Sequence, residues 1–218
     1  MRDLVIKEIC QQKVIAIIRG AGAQEAVAVA KALYEGGITL AEITFNQKAP
    51  DTFVDTAKAI QLIKQEMGDK MLVGAGTVTS PELVQLAADA GAAYIISPDT
   101  DEAVIRKTRE LGLVSIPGAY TPTEAKQAHN AGADFVKLFP CVGDAPAYIK
   151  AICGPLNHIR FLAVGGVNAD NATDFFRAGA VGIGVGGNLV RKDWMSAGDY
   201  QKITDEAKKY VANIRSAE

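Results

Sequence analysis

Cysteine, histidine and aromatic rings are scarce in this chain of 218 residues, which holds 3 Cys and 2 His and is 6% Phe, Trp and Tyr. Cys10, Cys141 and Cys153 are an odd number with none of the close spacings of a redox pair or a zinc knuckle. They read as reduced thiols. His129 falls in a helix and His158 in a loop that precedes a strand, so no zinc, no other metal and no cofactor is expected. A GxSxG elbow for a Ser/His/Asp triad is missing, and Cys141, just after Phe139 and Pro140, reads as a wall residue rather than an attacking thiol. Excess charge of one sign is missing too: 23 Lys and Arg against 25 Asp and Glu leave a net charge of −2. That balance gives no footprint for nucleic acid or an anionic membrane surface. The longest uncharged stretches, residues 111–123 and 178–190, fall well short of the roughly 18 apolar residues of a spanning helix. No nucleic acid and no membrane partner is expected. The opening MRDLVIKEICQQK scatters charge through what would be the apolar part of a signal peptide, so the expected location is the cytoplasm.

What the chain does have is apolar material: 49% hydrophobic against 22% charged residues, enough for a full core and unlike a disordered polymer. Composition shows no linker or low-complexity tract, so residues 1–218 read as one domain. A local pattern recurs, in which a helix-like stretch is followed by a small-residue break and a short β-branched run. The breaks are YEGG, ADAGA, ELGL, NAGA and RAGA, and each puts glycine where a helix C-terminus needs a left-handed residue. The runs that follow, with KVIAIIRG (13–20), MLVGAG (71–76) and RFLAVGG (160–166), make eight candidate strands, each followed by helix-competent sequence. Strands this apolar on both faces belong in a parallel sheet covered by helices. Eight such units in a chain of this length predict an α/β fold, a single (β/α)8 TIM barrel, with the segment before Lys13 a short helix across the barrel bottom. An open doubly wound sheet is the competing arrangement, and no GxGxxG follows the first strand to support it. Ser80-Pro81, Thr121-Pro122 and Asn168 are expected as helix N-caps just after strand ends.

Chemistry in such a barrel sits at the C-terminal ends of the strands, so polar residues there are the candidates. Alternation along ITLAEITF puts Leu40, Glu42 and Thr44 on one face, leaving Glu42 among apolar neighbours. In FVKLFP, Lys137 is the only charge and shares a face with Phe135 and Phe139. An isolated ammonium in a barrel interior costs several kcal/mol, so Lys137 either pairs with a carboxylate or loses its proton more readily. A lysine neutral near pH 7 adds to carbonyls and forms Schiff bases, with a neighbouring carboxylate to move protons. A buried Glu42–Lys137 ion pair without chemistry is the structural alternative. Arg19, at the end of the first strand, suits a substrate carboxylate or phosphate, or else is a rim arginine in water. Thr77 in GAGTV offers a hydroxyl to a carboxylate. The glycines of GGV (165–167) and GVGGN (184–188), at Gly165, Gly166, Gly186 and Gly187, let a phosphate approach backbone amides after the seventh and eighth strands, unless they serve only tight turns.

Taken in order, IIRG with Arg19, EITF with Glu42, GAGTVTSPE with Thr77, Ser97-Pro98, the PG at Pro117, VKLFP with Lys137 and the GGV at Gly165 resemble the bacterial 2-keto-3-deoxy-6-phosphogluconate/4-hydroxy-2-oxoglutarate aldolases. The resemblance runs along nearly the whole chain. It implies a metal-independent class I aldolase, a homotrimer acting on a small 2-keto acid, with Lys137 as Schiff-base lysine and Glu42 as general acid/base. It further implies that Thr77 binds the pyruvate carboxylate and that Pro98 and Phe139 line the pyruvate pocket. The chain departs from the commonest family pattern where it carries Asn46 for an arginine, Val164 for a threonine and Gly187 for a serine. Arg19 is the expected replacement for the missing arginine. Two lost hydroxyls, each worth about 0.5–1.5 kcal/mol, predict weaker phosphate binding, with Asn188 as a compensating donor. An unphosphorylated or differently configured 2-keto-3-deoxy sugar acid is therefore an alternative substrate. A phosphate-binding barrel isomerase or epimerase with Glu42 as base, or a sugar-acid binding protein without catalysis, would form no imine.

Overall fold

The computed structural model describes residues 1–216. Parallel strands form one sheet, β1 (Val14–Ile18), β2 (Leu40–Thr44), β3 (Leu72–Gly76), β4 (Tyr94–Ile96), β5 (Val114–Ile116), β6 (Gly118–Ala119), β7 (Val136–Leu138), β8 (Phe161–Val164) and β9 (Gly182–Val185). The hydrogen-bonded order is β5-β4-β3-β2-β1-β9-β8-β7-β6. Eight strands were expected and nine segments are seen because Pro117, which has no N–H to give to a ladder, splits the fifth barrel strand into β5 and β6. Its carbonyl still accepts from the Lys137 N–H at 2.8 Å, and the Ile116 carbonyl accepts from Ser97 N–H at 3.2 Å, so the ring closes through this interrupted strand. The architecture is the expected α/β barrel.

Two apolar clusters follow from the two faces of each strand. Inside the barrel Ile15, Leu40, Tyr94, Ile96, Phe135 and Leu162 pack together, and outside it Ile18, Ala41, Ile43 and Ile183 meet the helices. Helix α1 (Arg2–Gln12) adds Val5 and Ile9 to the interior cluster, closing the end away from the strand C-termini as the sequence suggested. Full burial of each such side chain contributes about 1.5–3 kcal/mol.

Caps fix where the βα loops stop. Ser80 Oγ accepts from Leu83 N–H at the start of α2 (Pro81–Asp89), and Thr121 and Glu124 form a reciprocal capping box on α3 (Pro122–Ala131). Each is worth about 1 kcal/mol. Asn168 caps as expected, one turn ahead of the regular part of α4 (Ala172–Arg177): its side chain accepts from Asp170 and Asn171 N–H, its carbonyl accepts from Ala172 N–H at 3.1 Å, and Asn171 Oδ1 accepts in return from Asn168 N–H at 2.8 Å. No described helix is long and apolar enough to cross a membrane.

Candidate active site

Glu42 and Lys137 both come from strand interiors, and both point where the alternation of their strands requires. Glu42 in β2 is 2% exposed and Lys137 in β7 is 7% exposed, and they share the walls of one narrow recess with Ile15, Ile96, Ile116 and Leu162. Room for the carboxylate is made by β3: a side chain at Gly76 would place a Cβ 2.6 Å from Glu42 Oε2. No direct ion pair joins Glu42 to Lys137 among the described residues, and Glu42 Oε2 is buried without a hydrogen-bond partner. The structural alternative of a closed ion pair is thus not what the fold builds. Lys137 Nζ instead lies 4.6 Å from the Phe139 ring centroid, in cation–π range.

The recess opens into a mouth cavity of about 460 Å³. Arg19, Thr77, Pro98, Lys137 and Phe139 line it, and so do Gly165, Gly166, Gly186, Gly187 and Asn188. These residues, expected at the site from the sequence, therefore meet at one end of the barrel, with Glu42 just below. Arg19 also borders a neighbouring cavity of about 630 Å³ together with Asn46 and Thr77. Arg19 is exposed and has no ion-pair partner among the described residues. Asn188 is placed differently from expectation: its side-chain N–H donates to the Val167 carbonyl at 2.8 Å, tying the loop after β9 to the loop after β8. That donor is engaged by the protein. Gly165 and Gly166 have φ of +95° and +69°, values that a side chain would strain.

Electrostatics follow from burial. Loss of solvent raises the Glu42 carboxyl above the usual carboxylate range, against the pull of the Lys137 and Arg19 charges. Burial lowers the Lys137 ammonium from its ordinary value, opposed by Glu42 and reinforced by Arg19. Both shifts favour neutral forms, an amine with its lone pair free and a carboxyl that keeps its proton nearer neutrality. Carbonyl addition followed by proton transfer uses such a pair.

The sequence pointed to Thr77 and Val164 without their geometry, and it passed over Gly74 and Gly76. Thr77 has φ +56°, rare for a β-branched residue, and its carbonyl accepts from Gln47 Nε2 at 2.8 Å, so a loop contact holds a strained residue at the mouth. Val164 lines both recess and mouth. Gly74 and Gly76 clear space inside the barrel, for which glycine inside a strand was the available signal. The histidines lie at the other end, exposed, with rings packed edge to face at 5.1 Å.

A barrel that keeps an amine and an acid dry beneath an open mouth is equipped as an aldolase, a lyase that breaks carbon–carbon bonds next to an activated carbonyl. The particular family is set by comparison: the model of the KDPG and KHG aldolases matches residues 5–206, and the chain belongs to that family. It is 38% identical over 193 residues to a probable 2-dehydro-3-deoxy-6-phosphogalactonate aldolase of Rhizobium meliloti (strain 1021), covering 88% of each chain. A solved structure described as native KDPGal superimposes with a TM-score of 0.84 at 35% identity, covering 94% of this chain and 95% of that one. A KDPG aldolase from Legionella pneumophila, described as holding pyruvate as a covalent carbinolamine, gives a TM-score of 0.80 at 26% identity, covering 90% of this chain and 92% of that one.

Proposed function

We propose that this protein is a class I aldolase that cleaves a 2-keto-3-deoxy-6-phospho sugar acid to pyruvate and glyceraldehyde 3-phosphate through an imine on Lys137, with the 6-phosphogalactonate epimer preferred. The observation that carries the reading is the pair of buried groups at the floor of the mouth, Lys137 with its ammonium disfavoured and Glu42 with an unpartnered oxygen. Support for the imine comes from the Legionella relative, whose trapped carbinolamine is the species that precedes one. Support for the epimer comes from the names carried by the Rhizobium protein and the native KDPGal structure.

The chemistry runs as follows. The Lys137 amine adds to C2 of the keto acid, and Glu42 moves the protons that let water leave, giving an iminium. Glu42 in its ionised form then takes the proton of the C4 hydroxyl, the C3–C4 bond breaks, and its electrons pass into the iminium to form an enamine. The aldehyde departs carrying C4 as its carbonyl carbon, Glu42 returns a proton to C3, and water hydrolyses the imine to release pyruvate. Arg19 and Thr77 hold the substrate carboxylate, and the glycine-rich loops at Gly165, Gly166, Gly186 and Gly187 receive the phosphate. Pro98 and Phe139 form the apolar walls around the pyruvate methylene. The homotrimer implied by the family resemblance belongs to the same proposal, and light scattering of the purified protein checks it.

A coupled pyruvate assay on the two C4 epimers, each with and without the phosphate, tests the substrate reading. The highest kcat/KM is expected for 2-keto-3-deoxy-6-phosphogalactonate. A higher value for the gluconate epimer overturns the configuration assigned, equal values with and without phosphate overturn the role given to the glycine loops, and no pyruvate from any of them overturns the aldolase reading.

A further inference from the structure

The interior face of β3 is nearly empty, and its neighbours have moved in from both sides. At Gly76 the space that a side chain would fill holds the Glu42 carboxylate from β2. At Gly74, two residues earlier on the same face and paired in register with Glu42, the space holds the ring of Tyr94 from β4. Tyr94 is fully buried, and its ring crosses β3 so that the hydroxyl reaches β2, where it donates to the Ala41 carbonyl at 2.6 Å with the Leu72 carbonyl at 3.4 Å. Ala41 is the residue immediately before Glu42. The side chain thus staples three strands together directly beneath the carboxylate, with a ring as floor and a hydroxyl turned to the backbone.

We infer that Tyr94 is a positioning residue for Glu42: its hydroxyl fixes the backbone that carries the acid, and its ring seals the floor below it. The inference rests on the reading of Glu42 as the acid/base. A phenol aimed at the carboxylate would donate to it and favour its ionised form. A phenol committed to Ala41 leaves Glu42 Oε2 without a donor, and burial together with the Glu42 charge raises the phenol well above its ordinary range, so it keeps its proton. Phenylalanine would fill the floor equally well, so the hydroxyl is what the staple adds.

Three variants separate the roles in steady-state cleavage measured across pH. Tyr94→Phe keeps the floor and loses the staple, and kcat is expected to fall by about 2–10-fold, the worth of one buried hydrogen bond, with KM nearly unchanged. Tyr94→Leu also opens the floor to water. It is expected to lower kcat further and to move the acidic limb of the kcat profile, where Glu42 gains its proton, to lower pH. Partial recovery in Tyr94→Phe relative to Tyr94→Leu is the rescue that a positioning role requires. An unchanged kcat in Tyr94→Phe, or an unmoved limb in Tyr94→Leu, overturns the proposal whatever the melting temperatures. Should Tyr94→Leu not fold, an unchanged kcat in Tyr94→Phe suffices to overturn it. Glu42→Gln, run alongside, keeps the two readings apart: normal turnover there removes the acid/base assignment itself, while a dead Glu42→Gln beside a wild-type Tyr94→Phe removes only the role given to Tyr94.

Discussion

Two buried acids sit at opposite ends of this barrel, and the fold treats them in opposite ways. Asp134, just before β7, accepts from both Arg2 and Arg109 and from the Ser115 N–H at 3.0 Å, with its side chain 3% exposed. Glu42 is equally dry, yet one of its oxygens has no hydrogen-bond partner among the described residues, and the nearest charges lower its carboxyl less than burial raises it. The first acid closes the bottom, linking α1 to the start of β7. The second is left poised. A buried carboxylate that is fully satisfied secures structure, whereas one left short of partners stores the tendency to take up and release a proton.

Removing chemistry at the mouth gives the largest effect. Lys137→Ala is expected to lower cleavage on the order of 10³-fold or more, and Glu42→Gln by about 10²–10⁴-fold, both with folding intact by circular dichroism. Removing structure at the bottom reverses the pattern. Asp134→Ala is expected to cost about 2–3 kcal/mol in urea unfolding, since it strands a buried N–H and frees two arginines that reach water, while kcat stays at the wild-type value. Loss of kcat without loss of stability in Asp134→Ala would erase the contrast.

Stability against pH sharpens the comparison. Because the folded Glu42 carboxyl is raised, its contribution is fully present below the usual carboxylate range and is lost as pH rises through its raised value. The lowered Lys137 ammonium works the other way, contributing above the ordinary lysine value and losing that contribution as pH falls through its lowered one. Between these limits both groups burden the fold. Glu42→Gln is therefore expected to gain on wild type as pH rises toward neutrality, by about 0.5–2 kcal/mol, the usual return for relieving a functional site, and parallel melting curves at acid and neutral pH check the sign. The smallest effect is expected at the rim. Asn188→Ala releases the loop after β9 from Val167 and should raise KM for a phosphorylated substrate a few-fold, in keeping with about 1 kcal/mol for one hydrogen bond, without changing kcat.

Only the Glu42 side of this contrast was legible in the sequence. Period-two alternation put Glu42 and Lys137 on inward faces, and recurring glycine breaks counted out the barrel, because both signals are local. Contacts between distant segments were not legible. Nothing near Pro117 announces that its strand splits while the ring still closes, since that depends on what Ser97 and Lys137 offer across the gap. Asn188 read as a free donor because Val167, which takes its N–H, is 21 residues away. Tyr94 was not singled out at all, because its grip on Ala41 needs Gly74 on a third strand. The satisfied state of Asp134 was hidden for the same reason, with Arg2 lying 132 residues earlier in the chain.

The account depends on the Lys137 amine adding to a keto acid, and borohydride reduction in the presence of pyruvate reads that step directly. Intact-mass and peptide analysis should show one reduced pyruvate adduct per chain, located at Lys137, with irreversible loss of activity and no adduct in Lys137→Ala. Wild-type protein that stays active and unmodified after reduction, or an adduct on another lysine, would contradict it.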